Sequence, residues 1–343
     1  SSGSSAASTS CNASPGSTPD VATDAIELLT VGRISVDLYA EQIGVAVDDV
    51  RSFRKSVGGT ATNVAVACAR LGHTTAVFTR VGDDPFGGYV RHALEHTFGV
   101  DTRFVGVDTS LRTPLAFATM EDPAEPVIDF YRVPQAPDMM ITADEVDRDV
   151  VERAPIFWFP TSRLSTDPSR STVHQMLEWR GRRSHTVLDL DWRPAFWPDA
   201  ASATAELDRV LDHVTIAIGN RAECEVAVGE SDPDRAADAL LARGLAVAVV
   251  KLGGDGVLVA TADGVRERIA PYPVEVVSGL GAGDAFGGAF CHGLLSGWDL
   301  ARCARAGNAA GAIVAARLMC ADDMPYLDDI ELVLDRGSVP AGI

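Results

Sequence analysis

From Ile26 onward, short apolar and β-branched runs alternate with longer stretches whose apolar residues recur every three to four positions. The runs IELLTVG, TTAVFTRVG, IFWFP, HTVLDLD, VTIAIGN and AVAVVKLGG read as strands, and residues 60–71, 84–97, 168–181, 201–212, 233–243, 284–296 and 299–317 as helices. Such alternation predicts a mostly parallel sheet covered by helices on both faces. Two places break the rhythm. PLAFATM and VIDFYRV flank the turn text EDPAEP and predict an antiparallel hairpin, and DLYAEQIGVAVDDVRSFRKSV is strand-like without a helix. These segments predict a small β appendage over the sheet edge, equally readable as a lid over a site or as decoration.

Composition narrows the function classes. The 343 residues can bury a large core, and no apolar run approaches the ~20 residues that span a bilayer. A formal charge of −19 repels nucleic acid and anionic membranes, so neither is an expected partner, and an anionic ligand must be held by local groups. The six cysteines include no C-x-x-C pair and lie mostly in apolar text, which predicts buried free thiols and a cytoplasmic protein. Residues 1–25 are rich in Ser, Ala, Thr and Gly without a basic or apolar block, which predicts a disordered or tag-like segment. Residues 26–335 are expected to form the folded domain and 336–343 a tail.

Ligands of open parallel sheets bind beyond the carboxyl ends of the strands, where loops run into helices. Gly32, Arg33 and Asp37 follow the first strand, and Asp189, Asp191 and Arg193 share one side of another. Gly58, Gly59 and Thr60 precede a helix with Asn63 in its first turn. Asn220 and Glu223 fit an ordinary capping box equally well as a pair ordering hydrated Mg²⁺. In SGLGAGDAFGGAF, residues 278–290, the stripe Phe286, Phe290 and Leu294 predicts a helix starting near Ala282. Its N-terminus suits an anion, Gly281 and Gly283 allow close backbone approach, and Asp284 could take a proton from a hydroxyl attacking a phosphoryl group. An acid there is also favoured simply by the helix dipole.

GGTATNVAVACARLG and GLGAGDAFGGAF together resemble the two signatures of the ribokinase-like PfkB carbohydrate kinases. The resemblance runs from about Ile26 to Leu334 and implies an α/β/α sandwich with a small β-sheet lid, about residues 36–57 and 106–133. It also implies roles. Asp284 would be the catalytic base, with Gly281, Ala282 and Gly283 forming the anion hole. Arg33, Asp37, Gly59, Asn63, Tyr131 and Arg132 would bind substrate. Arg193, Asn220, Lys251, Gly253, Gly254, Gly256 and Asn308 would contact ATP, and Asn220 with Glu223 would position Mg²⁺ through water. The segments FYRVPQAPDM, LDLDWRPAFW and CADDMP resemble the branch acting on sugar acids, with 5-dehydro-2-deoxy-D-gluconate of inositol breakdown expected over 2-dehydro-3-deoxygluconate. Fructokinase- or ribokinase-type specificity and a non-catalytic sugar or nucleotide sensor are the remaining alternatives. Many family members carry Asp at the position of Ser278, which leaves K⁺ activation open; a homodimer through the lid is a further expectation.

Overall fold

The computed structural model of the chain describes residues 25–122 and 126–340. The Ser-rich N-terminal segment up to residue 24, the middle of EDPAEP and the last three residues of the expected tail lie outside the described residues. The first part of the chain forms β1 (Leu28–Val31), β2 (Ser35–Ala40), β3 (Phe53–Gly58), α1 (Thr60–Arg70), β4 (Thr75–Gly82), α2 (Pro85–His92), β5 (Val105–Asp108), β6 (Leu115–Thr119) and β7 (Val127–Tyr131). The middle forms α3 (Arg148–Arg153), β8 (Ile156–Pro160), α4 (Ser169–Arg180), β9 (Thr186–Asp189), α5 (Ala200–Val210), β10 (Ile216–Asn220), α6 (Arg221–Val228) and α7 (Pro233–Ala242). The last part forms β11 (Val247–Lys251), β12 (Val257–Thr261), β13 (Arg266–Ile269), α8 (Ala282–Leu295), α9 (Leu300–Ala315) and α10 (Leu327–Arg336).

Nine strands make one sheet in the order β13-β12-β11-β10-β9-β8-β1-β4-β5. It is parallel from β11 to β5 and antiparallel where β12 and β13 extend it. All six sequence-predicted strands belong to it. The strands are buried on both faces, so residue parity decides which helices each side chain meets. Ile156 and Trp158 of β8 pack with Phe286, Phe290 and Val64 on the α1/α8/α9 side, whereas Phe157 and Phe159 join Val173, Leu177 and Leu207 on the other.

A second sheet, β3-β2-β6-β7, has only four strands and is the predicted β appendage. β6 and β7 pair antiparallel, as the hairpin pattern predicts, and β2 runs parallel to β6. The second lid segment begins later than residue 106. Gly106–Asp108 instead pair in parallel with Arg80, Val81 and Gly82 of β4 at the edge of the large sheet, where their backbone groups find partners. No helix among the described residues is long and apolar enough to cross a membrane.

Several helices start where a side chain satisfies free N–H groups. Asp84 accepts from Phe86 N and Gly87 N ahead of α2, and Asp299 accepts from Arg302 N ahead of α9. Glycines matter most where α8 crosses α1 and β8. A Cβ on Gly287 would lie 2.7 Å from Trp158 Cη2, and one on Gly288 only 2.3 Å from Ala67 Cβ. Replacing Gly288 with Ala should therefore overpack this crossing and cost about 1–3 kcal/mol. Thermal unfolding should show a lowered midpoint for Gly288→Ala and none for Gly88→Ala, whose Cβ would enter open space.

Candidate active site

The first turn of α8 stands at the junction of two clefts. One, of about 500 Å³, lies beneath the small sheet and is lined by residues including Arg33, Asp37, Asn63, Arg193, Gly281 and Asp284. The other, of about 830 Å³, is lined by residues including Lys251, Gly254, Ala282, Gly283 and Asn308. Gly281 caps α8 at φ 77°, a conformation costly for other residues, and a Cβ there would lie 2.5 Å from Cys320 Sγ. A Cβ on Gly283 would approach Lys251 Nζ to 3.2 Å. Bare backbone thus faces both clefts at the positive end of the helix dipole, a suitable place for a phosphate.

Asp284 joins the two clefts chemically. Its Oδ2 accepts from Asn63 Nδ2 at 2.7 Å, which ties α8 to the first turn of α1. Burial pushes its carboxyl up to about 7, even though the Asn63 hydrogen bond and the Arg193 and Lys251 charges pull the other way. An acid titrating there is half ionised at neutral pH, as a general base requires.

Around it, charges converge from the ends of β1 and β9. Asp191 accepts from Arg33 Nη2 at 3.2 Å, Thr60 Oγ1 at 2.9 Å and Arg193 Nε at 2.7 Å. Burial alone would raise the Asp191 carboxyl, yet Arg193 and Arg33 outweigh it and hold the group below its ordinary value. The Arg33 guanidinium also reaches Ser162 Oγ at 3.2 Å and lies 4.7 Å from the Phe196 ring centroid. Arg193 remains 44% exposed, with its Nε engaged by Asp191. Asp37 is held by Ser35 Oγ at 2.6 Å and Tyr39 Oη at 3.2 Å, and its carboxylate overlies Gly58, where a Cβ would sit 2.0 Å from Cγ.

Asn220 and Glu223 form a complete capping box on α6: Glu223 N donates to Asn220 Oδ1 at 2.9 Å and Asn220 N to Glu223 Oε2 at 2.7 Å. The pair still lies beside the site, because Asn220 is the register partner of Lys251 on β11. Burial opposes the Lys251 charge, but Glu223, Asp189, Asp191 and Asp284 together raise its pKa. Asn308 donates Nδ2 to Ala270 O at 3.0 Å in the second cleft. Ser278 is fully buried, and its Oγ accepts from Leu280 N at 3.3 Å, so it offers a potassium ion a neutral hydroxyl at most.

Most expected site residues thus come together, with three changes. Arg193, expected with ATP, lines the cleft beneath the lid. Tyr131 does not line it; the residue is 61% exposed and its ring meets Phe117 on the outer lid face. The strand's parity instead turns Ile128 and Phe130 inward. Arg132 does not line it either, because its Nη2 donates to the buried Asp138 Oδ1 at 2.6 Å. Sequence reasoning missed Ser35, Tyr39, Ile128, Phe130 and Cys320 in this cleft and Tyr272 in the other. For Ser35 and Tyr39, the period-2 relation to Asp37 was the available signal.

Residues 25–326 match the pfkB family carbohydrate kinase signature. The chain is similar to 5-dehydro-2-deoxygluconokinase of Geobacillus thermodenitrificans, 31% identical over 89% of this chain and 92% of that one. It is 30% identical to the protein of that name from Bacillus anthracis, over 90% and 95%. Among solved structures, a provisionally named ribokinase II from E. coli in complex with ATP and Mg²⁺ superposes with a TM-score of 0.82. That protein is 26% identical, and the match covers 91% of this chain and 99% of that one.

The raised Asp284 pKa sets the sign of the pH dependence. A base is active as carboxylate, so kcat/KM should rise with pH through about 7 and level off above it. Asp284→Asn should abolish that rise and lower kcat at least ~100-fold, the lower scale for a lost general base, while ATP still binds. Initial rates across pH and ATP titration by calorimetry check both; near-normal turnover of the variant would remove Asp284 from the role.

Proposed function

The chain belongs to the pfkB family of carbohydrate kinases, and from that premise we propose that it phosphorylates the C6 hydroxyl of 5-dehydro-2-deoxy-D-gluconate with ATP, in inositol breakdown. The observation that carries the substrate class is the placing of Arg33 and Arg193 on one carboxylate, Asp191, beside Asp284. Asp191 engages only the Nε of Arg193, so the rest of that half-exposed guanidinium is open to the cleft, a donor that a neutral sugar would not require. A substrate carboxylate suits such planar donors.

In this reading the sugar lies under the small sheet, with Asp37 and Asn63 accepting and donating to its hydroxyls. Asp284 removes the proton of the C6 hydroxyl as its oxygen attacks the γ-phosphorus, and the bond to the β-phosphate oxygen breaks to release ADP. The N–H groups of Gly281, Ala282 and Gly283 receive the charge that develops on the γ-phosphoryl oxygens. ATP occupies the cleft lined by Lys251, Gly253, Gly254, Gly256 and Asn308. The residues present fit Mg²⁺: Glu223 is 8% exposed near Lys251, and its capping box engages its Oε2. Asn220 and Glu223 would hold the ion through water, where it offsets phosphate charge.

We also assign the outer lid face to a homodimer. Phe53 packs edge-on to Phe117 at 5.5 Å, Phe117 meets Tyr131 at 5.1 Å, and Val127 is 54% exposed on the same strand as Tyr131. Such a contiguous aromatic patch favours a partner surface.

A panel of sugars with coupled ADP detection tests the reaction. The expected outcome is turnover of 5-dehydro-2-deoxy-D-gluconate well above fructose, ribose and 2-dehydro-3-deoxygluconate; preference for the last would overturn the substrate. Arg33→Ala should raise KM for the sugar acid about 10- to 100-fold, the scale of one charge-assisted hydrogen bond. Sedimentation velocity should show a dimer that Tyr131→Glu splits.

A further inference from the structure

Asp138, within FYRVPQAPDM, has no role assigned from the sequence, yet it is fully buried and its two carboxylate oxygens serve two strands, β2 and β7, at the same end of the small sheet. Oδ2 accepts from the backbone N–H of Ile34 at 2.9 Å, in the linker that leads from β1 into β2. Oδ1 accepts from Arg132 Nη2 at 2.6 Å, in the residue that follows β7 as the chain returns to the main body. The backbone carbonyl of Asp138 in turn accepts from Arg163 Nη1, a fully buried guanidinium in the loop after β8. One residue of the main body therefore grips the incoming and the outgoing strand of the lid and is itself gripped from below.

The neighbour of Ile34 in the chain is Arg33, which lines the substrate cleft and reaches Asp191 and Ser162 behind it. The neighbour of Arg132 two positions back is Phe130, which lines the same cleft and lies 5.5 Å from the Arg33 guanidinium. Fixing Ile34 and Arg132 on one carboxylate thus fixes the two side chains that meet over the sugar. Arg163 keeps Nε and Nη2 without a partner, and two buried guanidinium groups, on Arg33 and Arg163, share the field of Asp138 with the partly buried one on Arg132. The carboxylate is the charge that makes their proximity tolerable.

We propose that Asp138 is a positioning residue for the reaction: by clamping Ile34 and Arg132 it sets the lid angle and holds Arg33 and Phe130 in register over the sugar. The proposal rests on the sugar-acid reading only for the identity of the substrate. The clamp itself acts on the lid whether or not that reading holds.

Two measurements on the full chain separate these ideas. Hydrogen exchange without ligand should show amides of β2 and β6 exchanging at least ~10-fold faster in Asp138→Asn, with β9 to β11 unchanged, because local opening needs only local loss of contacts. On whichever sugar the wild-type enzyme turns over best, the same variant should raise the sugar KM about 10-fold or more and leave the ATP KM within about 2-fold. Since losing a buried charge partner can prevent folding, Arg132→Gln supplies the second variant, which releases the lid and leaves Asp138 on Ile34 and Arg163. It should show the same lid-confined exchange and the same KM split. Unchanged lid exchange in a folded variant, or equal rises in both KM values, would overturn the clamp. A wild-type preference for a neutral sugar would overturn the substrate reading and leave the clamp standing.

Discussion

The start of α8 can stand between the two clefts only because the helix lies closer to α1 than ordinary side chains allow. Gly287 and Gly288 admit Trp158, Ala67 and the backbone of α1 into the space their side chains would fill. That approach is also what brings Asn63 of α1 within 2.7 Å of Asp284. One crossing therefore does two tasks. It buries the apolar stripe Phe286 and Phe290 against the sheet, and it fixes the base beside the substrate cleft. The glycines at 281 and 283 then leave the backbone N–H groups of the same helix open to a phosphate, so packing and anion binding arise from a single run of small residues.

The second constraint is electrostatic. Asp189 and Asp191 are two residues apart, both nearly fully buried, yet they are driven in opposite directions. Burial, with Asp191, Glu223 and Asp284 nearby, raises Asp189 despite the Lys251 charge, whereas Arg193 and Arg33 hold Asp191 down against its burial. Asp284 sits between these extremes, near neutrality. Burying so many titratable groups is costly unless each is paired. A fold selected for stability alone would replace them with apolar residues. Divergent environments for neighbouring acids are what separate a fixed anion from an exchangeable proton.

The main sheet was legible because its strands are continuous apolar runs bounded by helices, and the two glycine-rich segments were legible because their chemistry is local. Less could be read where the signal is shared with something blander. Helix α6 begins with an Asn-x-x-Glu pattern that any capping box shows, and β12 and β13 extend the sheet antiparallel with a charged outer edge, Arg266 to Arg268. Tyr131 was placed in the cleft and Phe130 was not, because pairing partners, not residue type, fix which parity of β7 faces inward. Arg132 carries the charge expected of a carboxylate ligand. Its use by Asp138 depends on a loop contact that no spacing in the chain announces.

That parity has a consequence for the lid as a whole. Ala116, Ala118, Ile128 and Phe130 on its inner face are apolar, and the polar work of the cleft is left to β2 and the main body. The outer face carries Phe53, Phe117 and Tyr131, so β6 and β7 bear apolar residues on both faces, with Asp129 outward between Val127 and Tyr131. A slip of one residue between β6 and β7 would exchange the two sets of β7, and turning Asp129 inward is the one penalty from polarity that opposes it. Register must then be held at the sheet's ends. The anchors there are the backbone pairing of Val36 with Pro114 and Asp138 on Ile34 and Arg132. The lid owes its alignment over the site to these buried polar contacts more than to its own hydrophobic pattern.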